Sequence, residues 1–393
     1  MEKKKLNTNL FLFLACVIFL TYGISKYIYS LDTFESSSET DKTFQQRVSS
    51  FMTKNLKYHN ELIELNTLKE RLLGNRVMRK SDGTYVLSDS GSIIREISKE
   101  SPEDYYEAIA ALKELKTVSE EGGARFLFCA APNKEKYEKA PANIDNYEKQ
   151  NYDLFMSELK NAGITALDLS DALEEHQNEF DLYYYTDHHW TARAGFFAHK
   201  AILEELERLY GFEYDSYTAD IANYNIKLYP DWFLGSYGKK TGLSFSWRGA
   251  DDFELITPKF YTSLTESKLF IDGVRSGSFE ETVIFPDNLT KNYYYINTYA
   301  TYCGDDYRMQ IVKNNDKPDG KKILIVRDSF AYIAAPFLSL QTKELHICDV
   351  RTIFYRIGDK INVKDYIEEV KPDYVLVLYS GTPDPNDTRY GFF

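Results

Sequence analysis

Lys322-Ile-Leu-Ile-Val-Arg-Asp-Ser-Phe-Ala331 decides how this chain is read. Ile323 to Val326 run without a polar interruption, the pattern of a short strand covered on both faces. Ser329 follows at once, where such a strand turns into a helix. There a serine hydroxyl stands at the carboxyl end of a sheet, and the N–H groups that open the helix can stabilise an oxyanion. The bland reading of the same residue is a helix N-cap, the commoner role of serine after a strand.

Outward from this stretch the pattern repeats. Arg125-Phe-Leu-Phe-Cys129, Thr165-Ala-Leu-Asp-Leu169, Glu344-Leu-His-Ile-Cys348 and Asp373-Tyr-Val-Leu-Val-Leu378 are short apolar runs. Helical stretches separate them, among them Pro102 to Glu121 and Tyr152 to Ala162. Strands alternating with helices predict an α/β domain with a mostly parallel sheet covered on both faces. Residues 212 to 318 break the alternation; rich in Tyr, Phe, Thr, Ser and Asn, they read as a β-rich insertion. Lys80 to Val86 reads as a hairpin with Asp82-Gly83 at its turn. Upstream, Phe44, Val48, Phe51, Met52 and Leu56, then Leu62, Leu65, Leu68 and Leu72, recur at helical spacing. They predict a helical stalk, or a helix packed on the domain. The expected division is an anchor over 1–30, linker and stalk over 31–75, and one domain over 76–393.

The N-terminus carries Lys3, Lys4 and Lys5 ahead of the apolar run Leu10 to Ile24. This is an export signal. With Tyr27, Ile28 and Tyr29 the run approaches the roughly 20 residues of a spanning helix. An uncleaved transmembrane anchor is favoured over a cleaved signal peptide, and either way the remainder faces outside the cell. The net charge of −13 argues against nucleic acid as a partner. The four cysteines show no ligand spacing, and neither a metal nor a cofactor is expected.

Only six histidines occur, and two are adjacent in Tyr185-Thr-Asp-His-His-Trp-Thr191. Thr191 is a plausible N-cap for the amphipathic helix from Ala192 to Tyr210, stopped by Gly211. The Asp-His-His-Trp group therefore lies in a loop ahead of a helix. Serine is a poor nucleophile near neutral pH, and a histidine oriented by a carboxylate supplies the base it needs. A metal site is the alternative for Asp-His-His. Adjacent histidines on a strand would point to opposite faces, which disfavours it.

Thr186 to Thr191 together with Arg327-Asp-Ser-Phe330 resembles the DHHW protein family of Gram-positive bacteria, related to the SGNH-hydrolase-like proteins of alginate O-acetylation. Pro132 to Tyr137, Phe233-Leu-Gly-Ser-Tyr237, Pro336-Phe-Leu338 and Asp349-Val-Arg351 agree with it, over roughly residues 75 to 380. The resemblance implies a flavodoxin-like three-layer α/β/α domain of SGNH-hydrolase-like type. It gives Ser329 as nucleophile, His189 as general base and Asp187 as its orienting carboxylate. His188 competes with His189 for the base. Arg351, His188, Trp190, Asn133, Lys134 and Asp328 are candidate substrate contacts. The Gly and Asn that complete the oxyanion hole of ordinary SGNH enzymes are not placed.

The expected function is transfer or hydrolysis of acetyl groups on a cell-surface polysaccharide, through an acyl-Ser329 intermediate. By analogy, a membrane-bound O-acyltransferase would supply the acyl group. The rival is a non-catalytic glycan-binding or envelope-assembly protein, with Tyr183, Tyr184, Tyr185, Trp190 and Trp232 as its sugar platform.

Overall fold

The computed structural model describes residues 58–351, 360–383 and 387–393. The expected anchor, the linker and the first part of the stalk lie outside them. Among the described residues no helix is long and apolar enough to cross a membrane. The chain divides into two units, Met1–Leu62 and Ile63–Phe393. The second holds the described sheets and all the candidate site residues.

Helix α1 (His59–Leu72) precedes a small antiparallel sheet of β1 (Val77–Lys80), β2 (Gly83–Leu87) and β3 (Ile93–Arg95). Lys80 pairs with Gly83, so the hairpin turns at Ser81-Asp82. The alternating part continues with α2 (Tyr106–Glu121), β4 (Arg125–Ala131), α3 (Glu148–Asn161), β5 (Ala166–Asp168), α4 (Ser170–Glu174) and α5 (Ala192–Tyr210). Next come β6 (Tyr224–Phe233), α6 (Ser236–Thr241), β7 (Asp251–Pro258), β8 (Leu264–Lys268), β9 (Ile271–Gly277), α7 (Phe279–Val283) and β10 (Met309–Asn314). The chain ends through β11 (Lys322–Arg327), α8 (Ala331–Ser339), β12 (Glu344–Cys348), α9 (Val363–Val370) and β13 (Tyr374–Ser380).

The large sheet has the order β5-β4-β13-β11-β12-β10-β8-β9. Its first five strands are parallel. The last three run antiparallel to their neighbours. The sheet is thus mixed, parallel in its first five strands and antiparallel beyond them. The segment expected as an insertion contributes β8, β9 and β10 to the main sheet and sets only the β6–β7 hairpin apart. Those three strands include polar residues that find partners inside: Glu266 pairs with Lys268 at 2.6 Å and accepts from Gln310 at 3.0 Å.

Alternate side chains of the central strands serve two cores. Leu127, Ile323, Ile325, Leu376 and Leu378 face the layer containing α5 and α8. Phe126, Phe128, Leu324, Val326, Val375 and Val377 face α2, α3 and α9. This burial on both sides is why the strand sequences are continuously apolar. Helix α5 begins where the Thr191 hydroxyl accepts the Ala194 N–H, and ends at Gly211 in the left-handed region. A Cβ on its Gly195 would stand 2.6 Å from Cγ2 of Ile333, so α5 packs closely on α8. The segments that precede these two helices carry the residues of interest.

Candidate active site

Ser329 lies between β11 and α8 and is only half-buried, although Arg327, Asp328 and Phe330 around it are buried. The turn is shaped by Asp328. One of its carboxylate oxygens accepts the Phe330 N–H at 2.9 Å. The other accepts the Ser380 N–H at 2.8 Å, the Ser380 hydroxyl at 2.9 Å and an Arg389 N–H at 2.9 Å. Burial would raise the Asp328 carboxyl, but Arg389 and Arg351 together with these donors hold it below its ordinary value. Thus Asp328 is a brace, its buried carboxylate turned to donors of the fold. The Ser329 N–H donates to no described residue.

The Ser329 hydroxyl lies 2.7 Å from Nε2 of His189. On the other side of the ring, Nδ1 of His189 lies 2.5 Å from Oδ1 of Asp187. The same oxygen accepts the His189 backbone N–H at 3.0 Å, and Oδ2 accepts the Ser236 N–H at 2.5 Å. Burial alone would raise the Asp187 carboxyl. His188, His189 and the N–H donors hold it well below the carboxylate range. An ionised Asp187 keeps the proton of neutral His189 on Nδ1, which leaves the Nε2 lone pair facing the serine hydroxyl. Tyr299 stacks on the His189 ring at 4.0 Å between centroids, inclined by 14°, and fixes its plane.

Two neighbours shape the Asp187 loop. Asp251 accepts the N–H groups of Tyr185 and Thr186, at 2.5 and 2.9 Å, and the Thr186 hydroxyl. Gly235, just ahead of α6, donates to the Thr186 hydroxyl oxygen at 2.8 Å. A Cβ on Gly235 would stand 2.2 Å from Cβ of Asp187, so only glycine fits.

The structure brings Asp187, His189 and Ser329 together and separates the two histidines by role. Nδ1 of His188 meets the Ser236 hydroxyl at 2.9 Å. Burial and the neighbouring His189 push the His188 imidazole below its ordinary value, and a third of its side chain is exposed. The strand argument against a shared metal does not apply, because the segment is a turn and the two rings lie 3.8 Å apart. Among the described residues, Asp187, His188 and His189 are the group whose donor atoms lie within 4.8 Å of one another. A metal there would displace the hydrogen bond that orients His189.

The other expected substrate contacts fare differently. Trp190 is fully buried against Phe330, and Tyr184 is buried as well. The proposed sugar platform therefore loses two of its members to the core. Lys134 is buried, and its ammonium donates to the carbonyls of Tyr184 and Tyr185 at 3.1 and 3.2 Å. Asn133 donates to Glu148 at 2.9 Å. Arg351 is paired with Asp349 at 2.6 Å and Asp306 at 2.9 Å, in a network with Arg327 and the Tyr332 hydroxyl. Of these positions, His188 keeps the most open side chain beside the triad. Sequence reasoning gave Gly235, Ser236, Asp251, Tyr299 and Arg389 no role. Only the first two carried a signal, a Gly-Ser pair opening a short helix.

The family model described as SGNH hydrolase-like domain, acetyltransferase AlgX, matches residues 95–219. The match contains Asp187 and His189 and ends before Ser329. A DHHW family protein from Eubacterium siraeum is similar in structure, with a TM-score of 0.57 and 19% identity over 77% of this chain and 92% of that one. PatB1 from Bacillus cereus, with a sulfonyl adduct, has a TM-score of 0.60 and 21% identity over 77% and 95%. A second structure of PatB1 gives a TM-score of 0.60 and 22% identity over 75% and 95%. The fold is SGNH-like. At these identities the likeness to the solved structures carries the fold alone. No curated protein matches the sequence.

Proposed function

We propose that this chain is a serine-dependent acyl transferase or esterase, acting on acetyl groups of a cell-surface polysaccharide. The observation that carries the reading is the array Asp187–His189–Ser329, with the serine hydroxyl 2.7 Å from Nε2. In the first half-reaction the Ser329 Oγ attacks the acyl carbonyl carbon while His189 takes the hydroxyl proton. The Ser329 N–H, at the start of α8, is placed to donate to the oxyanion. Collapse breaks the bond to the leaving alcohol, which receives the proton from His189. In the second half-reaction a sugar hydroxyl or water loses its proton to His189 and attacks the acyl carbon; the bond to Ser329 Oγ breaks, and the serine takes the proton back from His189. Transfer and hydrolysis differ only in that acceptor.

The polysaccharide, the extracytoplasmic setting and a membrane-bound O-acyltransferase as donor belong to the same proposal. Their support is the export signal in the sequence and the likeness to proteins named as acetyltransferases. The glycan-binding rival is weaker, because burial of Trp190 and Tyr184 removes part of its platform. The test is incubation of the chain with an activated acetyl ester, followed by intact-mass measurement. A single acetyl adduct that vanishes in Ser329→Ala supports the proposal. An unmodified mass for the wild-type chain, under conditions that acetylate a control serine esterase, overturns it.

A further inference from the structure

One oxygen of Asp187 faces both histidines. Its Oδ1 lies 2.5 Å from Nδ1 of His189 and 3.4 Å from Nδ1 of His188. The two rings are 3.8 Å apart between centroids and inclined by 37°. In an imidazole, Nε2 stands on the far side of the ring from Nδ1. Two rings stacked in this way, with both Nδ1 atoms turned to one oxygen, carry their Nε2 atoms away from it on the same side. On that side Nε2 of His189 meets the Ser329 hydroxyl at 2.7 Å. Phe330, the residue after Ser329, lies 5.0 Å from the His189 ring and 6.0 Å from the His188 ring. The Nε2 edge of His188 therefore opens beside the nucleophile.

That edge is uncommitted. Nδ1 of His188 is held at 2.9 Å by the Ser236 hydroxyl, and Tyr237 packs 5.5 Å from the ring. Nε2 has no partner among the described residues, and a third of the side chain is exposed. Burial and the neighbouring His189 push the imidazole down to about 3, so it stays neutral and is no second base. A neutral imidazole suits an uncharged polar group, and the chemistry says which one arrives there. The alcohol that leaves and the acceptor that replaces it both exchange a proton with Nε2 of His189, whereas the oxyanion faces the Ser329 N–H. A hydroxyl on the carbon next to the reacting one comes within reach of an imidazole stacked on the first. Being donor and acceptor at once, it matches either tautomer of His188. We propose that His188 binds the acceptor through the hydroxyl adjacent to the one acylated, so that the site selects a vicinal diol, such as a sugar ring presents, over water. This rests on the acyl-serine reading above. His188 forms no bond and takes no proton in the step. Water has no second hydroxyl to offer, so the contact favours transfer over hydrolysis.

Partition of the acyl-enzyme tests this. The full chain in detergent micelles receives an activated acetyl ester, with n-propanol or propylene glycol as acceptor at equal molar concentration. Acetylated acceptor and free acetate are both measured. Their ratio is set after the acyl-enzyme forms, so it does not depend on how fast that happens. In the wild-type chain the ratio should be about tenfold higher with the diol, the worth of roughly one neutral hydrogen bond. His188→Ala should bring the two acceptors close to equal ratios. His188→Gln, which keeps an amide near the place of Nε2, should recover part of the preference. A role confined to bracing Asp187 would slow both products together and leave the diol preference intact in the variants, which would overturn the inference. Equal ratios in the wild-type chain, or acetate as its only product, would overturn it as well. Absence of any acyl adduct on the wild-type chain brings down the serine chemistry and this inference with it; an adduct without a diol preference brings down the inference alone.

Discussion

The two loops that meet at the site are braced by different physics. The Asp187–His189 loop is held by contact: Gly235 leaves room for a hydrogen and nothing larger, and backbone N–H groups fill the carboxylates of Asp187 and Asp251. The Ser329 turn is held by charge. Asp328 gathers donors from Phe330, Ser380 and Arg389, and Arg389 in turn binds the Ser380 carbonyl at 2.6 Å and Asp387 at 2.7 Å. A steric brace fails abruptly, because an added atom in a close-packed site has nowhere to go. An ionic brace fails in proportion to how badly its charge is replaced.

The largest effects belong to the groups that both braces serve. Ser329→Ala should lower turnover by on the order of 10⁴-fold or more and abolish the acyl adduct, with the melting temperature nearly unchanged. His189→Ala should cost nearly as much, since members of such a unit fail together. Retained turnover in either variant would mean that the array is not the reacting group. On the steric side, Gly235→Ala must push Asp187 away from His189. Turnover should fall by about 10²-fold, as expected when a positioning contact moves by an ångström. A variant with wild-type turnover would show that the loop yields, and the contrast between the braces would collapse.

These effects differ in how far the sequence foretells them. Ser329 and the Asp-His-His group were legible because each sits at a boundary that local pattern marks, the end of an apolar strand and the start of a capped helix. The parallel half of the sheet was legible for the same reason, in that burial on both faces leaves an unbroken apolar run. Strands β8 and β10 were not, because Glu266, Lys268 and Gln310 satisfy one another inside the fold and read as surface when seen singly. Between His188 and His189 the sequence favoured His189 only through the family resemblance. Their difference lies in what stands opposite each ring, Ser236 for one and Ser329 for the other. Arg389 has only Asp387 as a local partner; Asp328 and Ser380, which give it its role, are brought to it by the sheet order. Trp190 misled because an aromatic beside a catalytic motif suggests a ligand platform, whereas here it anchors the loop in the core.

On the ionic side, Arg389→Met leaves the Asp328 carboxylate buried with its cation removed. The cost should be about 3 kcal/mol, seen as a lowered denaturation midpoint. Turnover should fall less than in Gly235→Ala, because the N–H and hydroxyl donors of Phe330 and Ser380 still hold the turn. Arg389→Lys should recover part of the loss, a graded response that a steric brace would not give. If Arg389→Lys is as damaging as Arg389→Met, shape rather than charge is what the guanidinium supplies.

The smallest effect separates the braces by pH. Asp328 is held below its ordinary value, so its ionisation contributes stability that is present above the unfolded value of about 4 and is lost as pH falls through the folded one. Asp251 has the opposite sign. Burial pushes its carboxyl up to about 6, against the opposing hydrogen bonds from Thr186 and Tyr185. Its contribution is therefore largest below about pH 4 and declines as pH rises towards 6, where the folded state must ionise a buried group. Between pH 4 and 6 the stability of the wild-type chain relative to Asp251→Asn should fall steadily, then level off above. Relative to Asp328→Asn it should stay flat across that window and drop only at lower pH. Chemical denaturation of the three proteins at half-unit steps reads both differences directly. If the two differences move together, the loops share one electrostatic environment and their braces are not distinct.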